Sequence, residues 1–178
     1  PLRAVAKLGS REYCFVLDAE EPDSKDYGLL YFDRNLNGDL TDDEPISAKK
    51  LPGIMPAGYW RGGFPRIELT VEAGGEKFDY AFYFQAYANT GREEHKYVSA
   101  SLTAAAYREG EITLDGKKRR VVLLDYDSNG RFDDVMKIPE GVQMADGRIY
   151  AQPGDMLLVD PETDQGRYGL YRITSNDF

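Results

Sequence analysis

Cysteine, histidine, surplus positive charge and long apolar runs are all scarce or missing in this chain of 178 residues. A single cysteine, Cys14, excludes any internal disulfide, so the fold is not a stapled miniature. Cys14 lies within an apolar, β-rich run, where a buried small hydrophobe is expected and not a nucleophile. The one histidine, His95, stands far from it beside Glu93 and Glu94. Adjacent carboxylates on an extended chain point to different sides, so a solvated loop is the expectation there. No segment approaches the roughly eighteen apolar residues of a membrane-spanning helix. Lysine and arginine number 22 against 31 aspartates and glutamates, a net charge of −9, with a pI near 4.7. That balance argues against nucleic acid or an anionic membrane as partner, because both need basic patches. The basic run from Lys117 to Arg120 is too short to reverse it and is expected on a solvated hairpin. There is no nucleophile elbow, HExxH helix, P-loop or dinucleotide fingerprint. Pro1 stands first and no leader-like apolar segment follows, which leads us to expect a mature product or a piece cut from a longer chain.

What the chain does have is oxygen at every second position of one stretch. Asp33 to Glu44 reads DRNLNGDLTDDE, and a shorter version, DYDSNGRFDD, runs from Asp125 to Asp134. A hard cation the size of calcium takes six to eight oxygens, and a chain curling around it presents alternate side chains. In the first loop Asp33, Asn35 and Asn37 supply the first three. Gly38 permits the turn, Asp39 offers its backbone carbonyl, Thr41 acts through water, and Glu44 at the twelfth place closes the shell. In the second loop Asp125, Asp127 and Asn129 repeat the ladder, Gly130 repeats the turn, and Arg131 contributes its carbonyl. The twelfth place there is Met136, which cannot coordinate calcium. Asp133, aided by Asp134, must close the shell, or a distant residue must do so. The competing reading is ordinary turn chemistry, since Asp, Asn and Gly crowd turns for their own reasons.

The first loop resembles the calcium loops of EF-hands and dockerins at places 1, 3, 5, 6 and 12. The second resembles the shorter DxDxDGxxD loops of integrin-type propeller blades, in which an aspartate at the ninth place, here Asp133, is a ligand. The flanks differ from an EF-hand: GLLYF and RRVVLL precede the loops and read as strands. The chain is also similar to exported bacterial β-domains carrying DxNxNGDLTD segments. These likenesses imply two calcium ions.

Alternation and turn signals give the remainder. Hairpins are expected over Leu2 to Leu17 around Gly9-Ser10, over Arg66 to Tyr87 around Gly74-Gly75, and over Glu111 to Leu124 around Asp115-Gly116. Tyr97 to Tyr107 is expected as one strand, and Ala88 to Lys96 as a polar loop. Gly147 to Gln152, Asp155 to Val159 and Tyr168 to Ile173 are expected strands. Asp160 to Tyr168 reads as a turn, a worn copy of the ion loops. Leu51 to Pro65, rich in proline and glycine, reads as a long loop. Its Tyr59, Trp60 and Phe64 either pin it to the body or hold a glycan or protein ligand.

The two ion loops lie about ninety positions apart, too far for a solenoid period. The expected fold class is therefore mainly β: an antiparallel sandwich or barrel-like domain of two related lobes, 1–90 and 91–178. The expected function is a calcium-binding extracytoplasmic domain, secreted, periplasmic or at the surface, in which calcium braces a recognition or adhesion module. Weak calcium sites are useful only where the free ion is abundant. The alternative is a carbohydrate-active hydrolase with paired carboxylates, or a sugar-binding module, with calcium again structural.

Overall fold

The computed structural model describes residues 1–22, 24, 26–51, 56–89, 97–137, 152–162 and 167–172. Thirteen strands and no helix occur among them: β1 (Leu2–Leu8), β2 (Arg11–Asp18), β3 (Leu29–Phe32), β4 (Ile46–Ser47), β5 (Lys49–Lys50), β6 (Tyr59–Gly63), β7 (Ile67–Ala73), β8 (Glu76–Asn89), β9 (Tyr97–Ala104), β10 (Tyr107–Leu114), β11 (Lys117–Leu124), β12 (Met156–Glu162) and β13 (Arg167–Arg172). The chain divides into two compact units, Pro1–Ala105 and Ala106–Phe178. The division falls after β9 and not near residue 90, because β9 pairs with β8 along Phe82 to Asn89.

The first unit is a sandwich of two antiparallel sheets. One has the order β1-β2-β3-β4; the other runs β5-β6-β8-β7, with β9 on the remaining edge of β8. Side chains alternate across a strand, so one face of each sheet can be wholly apolar. Tyr13, Phe15 and Leu17 of β2 and Leu30 and Phe32 of β3 are buried, as are Phe82, Phe84, Ala86 and Ala88 of β8. The two faces meet through aromatic edges: Phe15 stands against Phe84 at 5.0 Å and Phe32 against Phe82 at 5.5 Å, both T-shaped, while Tyr13 stacks on Phe32 at 5.6 Å. Truncating a fully buried ring such as Phe82 removes its transfer energy and leaves a cavity, at a cost of about 3–5 kcal/mol. The sheets also tie at their rim, where Ser10 donates from N and Oγ to the Glu72 carbonyl. The second unit is built on one antiparallel sheet, β10-β11-β12-β13. Val121, Val122, Phe132 and Val159 are its buried apolar residues among those described. Among the described residues no sheet closes into a barrel.

Several expectations are corrected. Cys14 is exposed, because the inward residues of β2 are its neighbours Tyr13 and Phe15. The segment expected as a long loop holds β6, which pairs with β8 from Tyr59↔Asn89 to Gly63↔Gln85. Its glycines are tolerated there because other side chains fill their places: a Cβ on Gly62 would come within 2.4 Å of the Trp60 ring. β8 continues to Asn89, past the expected end at Tyr87. The single strand expected over Tyr97 to Tyr107 breaks at Ala105-Ala106, and β10 begins at Tyr107. Asp160 to Tyr168 is not one turn, since β12 runs through Pro161 with a bulge between Val159 and Glu162. The Glu93, Glu94 and His95 cluster, residues 147–151 of the strand expected over Gly147 to Gln152 and residues 163–166 of the turn expected over Asp160 to Tyr168 lie outside the described residues; Gln152 forms an isolated bridge with Lys137.

Candidate metal centre

Both oxygen-rich loops begin where a strand leaves its sheet, and the backbone mould is the same in each. Asp33 follows β3 and Asp125 follows β11, and both are buried, at 3% and 5% exposure. Each first aspartate accepts two backbone N–H groups from across its loop. Asp33 takes those of Asn37 at 3.2 Å and Gly38 at 3.1 Å; Asp125 takes those of Asn129 at 3.2 Å and Gly130 at 2.8 Å. The fifth-place amide oxygen then accepts from the seventh-place N–H, Asn37 from Asp39 at 2.7 Å and Asn129 from Arg131 at 2.8 Å. The fifth-place NH2 donates to the tenth-place carboxylate, Asn37 to Asp42 and Asn129 to Asp134, each at 2.8 Å. Left-handed backbone falls at the fourth and sixth places of both loops: Leu36 (φ 60°) and Gly38 (78°), then Ser128 (62°) and Gly130 (75°). A non-glycine residue adopts that conformation at a cost in steric strain, and Leu36 and Ser128 do so at matched places, so the two loops follow the same backbone path.

The loops differ in how they finish. In the first, Glu44 is exposed, while Asp43, one place earlier, has an Oδ2 buried without a hydrogen-bond partner. Burial pushes the Asp43 carboxyl up, the Arg34 N–H works against that, and the Asp42 and Asp33 charges add to it. Asn35 accepts the Asn37 N–H and donates to Asp42 at 3.1 Å. Thr41 donates through both N–H and hydroxyl to Asp39, at 2.9 and 2.6 Å, holding the Asp39 carboxyl below its usual range.

In the second loop Asp133 does not turn inward. Its carboxylate pairs with Arg131 at 2.7 and 2.9 Å, on a side chain 65% exposed. The acid brought to the loop is Asp155, fully buried one residue before β12. One of its oxygens accepts the Tyr126 N–H at 3.0 Å and the other the Asp134 N–H at 2.9 Å, while its own N–H donates to the Asp134 carbonyl at 2.8 Å. Gly154 permits this approach: a Cβ there would come within 2.4 Å of both the Asp134 carbonyl and the Met136 nitrogen. Carboxylate oxygens of Asp125, Asp127 and Asp155 consequently lie within 4.8 Å of one another. Desolvation raises the Asp127 carboxyl, with further upward pushes from Asp134 and Asp125. Asp155 is raised chiefly by burial, against the pull of its two N–H donors. Such a group of carboxylates is costly when all are charged, and a cation seated among them removes the cost.

Asp155 and Asp43 were not visible as candidates in the sequence. Met136 at the twelfth place signals that loop two needs help from elsewhere, but nothing local points twenty residues on to the Gly154-Asp155 pair. No family model matches the chain, and neither a curated protein nor a solved structure matches it.

Proposed function

We propose that this chain is a calcium-binding β protein in which two ions brace the ends of strands, and in which calcium is structural. The observation that carries this reading is the convergence of Asp125, Asp127 and Asp155 within 4.8 Å on a loop whose backbone mould is duplicated at Asp33. The donors fit the ion. They are carboxylate, amide and carbonyl oxygens, which suit calcium or magnesium, and neither loop contains the histidine or cysteine that zinc and softer metals prefer. Calcium is favoured over magnesium because magnesium demands a tight octahedron and releases its water reluctantly. Asp33, Asn35, Asn37, the Asp39 carbonyl, Thr41 through water and an acid from Asp43-Glu44 would hold the first ion. Asp125, Asp127, Asn129, the Arg131 carbonyl and Asp155 would hold the second.

Bound to the native chain alone, calcium adds stability without performing chemistry. The reading extends to an extracytoplasmic setting, where millimolar calcium keeps weak sites filled, and to a recognition or adhesion module of an exported bacterial protein. No helix of the described residues is long and apolar enough to cross a membrane. The test is direct: metal analysis of protein purified with calcium, then thermal scans in calcium, magnesium and chelator. Retained calcium with a melting point that falls in chelator and is not restored by magnesium supports the reading. Identical scans in all three contradict it.

A further inference from the structure

On the sheet containing β8, the face turned away from the core carries an unusual set of side chains. Even-numbered residues of β8 from Phe82 to Ala88 are buried, so Tyr83, Gln85 and Tyr87 point outward. Tyr59 of β6 and Tyr97 of β9 both stand opposite Asn89, one on either side. The three rings form a row across three strands: Tyr59 to Tyr87 is 5.8 Å and Tyr87 to Tyr97 is 5.7 Å between centroids, tilted by 47° and 37°. Tyr59, Tyr83 and Tyr97 are 36%, 45% and 51% exposed. Arg61, opposite Tyr87, reaches Gln85 at 3.3 Å. Exposed Ser99, Ser101 and Thr103 stand opposite Tyr87, Gln85 and Tyr83 on β9.

We propose that this tyrosine row on the outer face of β6, β8 and β9 binds an uncharged glycan chain. Exposed rings grouped on one face of a sheet mark a contact surface, since scattered apolar exposure does not line up across strands. Tyrosine offers a flat ring with few rotatable bonds and a polar tip, so it covers area at low entropic cost while keeping a hydrogen bond. A pyranose presents the matching chemistry: a patch of C–H groups whose weak positive charge suits the ring face, and a rim of hydroxyls that suits Gln85, Arg61 and the serine and threonine hydroxyls.

The other partner classes fit less well. Among the described residues, the rows of Tyr83, Gln85, Tyr87 and Asn89 across β6 and β9 contain no carboxylate, so they offer a basic peptide no ion pair. Arg61, with exposed Lys49 at the β5 end of the Gln85 row, gives only two cations in a chain of net charge −9, too few to anchor a nucleic-acid backbone or an acidic polysaccharide. The absence of exposed leucine or isoleucine there gives an apolar helix nothing to bury. The ligand expected on the aromatic segment 51–65 is thereby reassigned. Phe64 is core, packed on Phe84 at 5.5 Å, and Trp60 packs on Tyr27 at 6.1 Å; only Tyr59 faces the row.

The test is native electrophoresis of the whole chain through gels containing neutral gluco-, xylo-, manno- or galactan polysaccharides, with polygalacturonate as the acidic control. It is run in calcium and in chelator, so that its outcome is separate from that of the metal sites. Retardation by at least one neutral polysaccharide is expected, weakened roughly tenfold by Tyr97→Ala or Tyr87→Ala and largely kept by Tyr97→Phe. The rings are on the surface, so circular dichroism should show both alanine variants folded. Should Tyr87→Ala not fold, Tyr83→Ala and Tyr97→Ala decide the matter. Free migration in every neutral gel, retardation by polygalacturonate alone, or retardation unchanged in the alanine variants overturns the proposal.

Discussion

The loop after β3 and the loop after β11 share a backbone mould and part company at the acid that finishes it. Loop one has all of its acids in sequence, ending in Asp42, Asp43 and Glu44. Loop two has Met136 where the last acid would be and receives Asp155 from just ahead of the next strand of its sheet, β12. A repeated turn can therefore be kept while its closing acid moves between local and distant sequence. Loop one has its acids within one stretch of chain, whereas the Asp155 of loop two reaches it through the pairing of β12 with β11.

The largest effect should come from removing the ion from both loops. At a free ion concentration a hundredfold above the dissociation constant, each site adds about 2.7 kcal/mol, or about 5–10 °C in melting temperature for a chain of this size. Scans in chelator against millimolar calcium measure this, and equal melting points would remove the comparison altogether. Next is Asp155→Ala, which strips the Tyr126 and Asp134 N–H groups of a buried acceptor. A cost of about 2–5 kcal/mol is expected even in chelator, together with loss of one calcium. Loss of stability without loss of calcium would mean that Asp155 is only a structural acceptor.

Asp127→Asn makes loop two resemble loop one, which already has Asn35 at the third place. With one of three crowded carboxylates gone, the chelated protein should melt higher and the calcium-loaded protein lower. A shift of the same sign in both conditions would contradict the electrostatic account. In loop one, Asp43→Asn should weaken calcium more than Glu44→Gln, because the Asp43 oxygen is the buried, unpartnered one. The reverse order in a titration would show that Glu44 swings in when the ion binds. Smallest of all is Asp133→Ala. It breaks an exposed pair with Arg131 worth about 0–1 kcal/mol and should leave loop-two affinity unchanged within error; a large loss would restore Asp133 as a ligand.

Hairpins were legible where alternation and a turn dipeptide coincide, as at Gly9-Ser10, Gly74-Gly75 and Asp115-Gly116, because those signals are local. β6 was not, since Gly62 and Gly63 mimic a loop until Trp60 and Leu51 are seen filling the space beside them. Cys14 was misjudged because the period of two places Tyr13 and Phe15 inward, and the phase of that alternation is set by what the strand packs against. At the two oxygen-rich loops, the shared turn was legible because the spacing of its Asp, Asn and Gly residues is local. Asp155 was not, because its role depends on strand pairing and on the bare Gly154 that lets two backbones meet. The outward tyrosine row was hidden for the same reason: its rings come from β6, β8 and β9 and become neighbours only through register.

The most direct measurement is a calorimetric calcium titration of the whole chain and of Asp33→Asn and Asp125→Asn, which retain an acceptor for the loop N–H groups while removing the charge. Two sites in the parent and one in each variant are the expected result. No calcium heat in the parent, or two sites persisting in both variants, would show that these loops are turns and not metal centres.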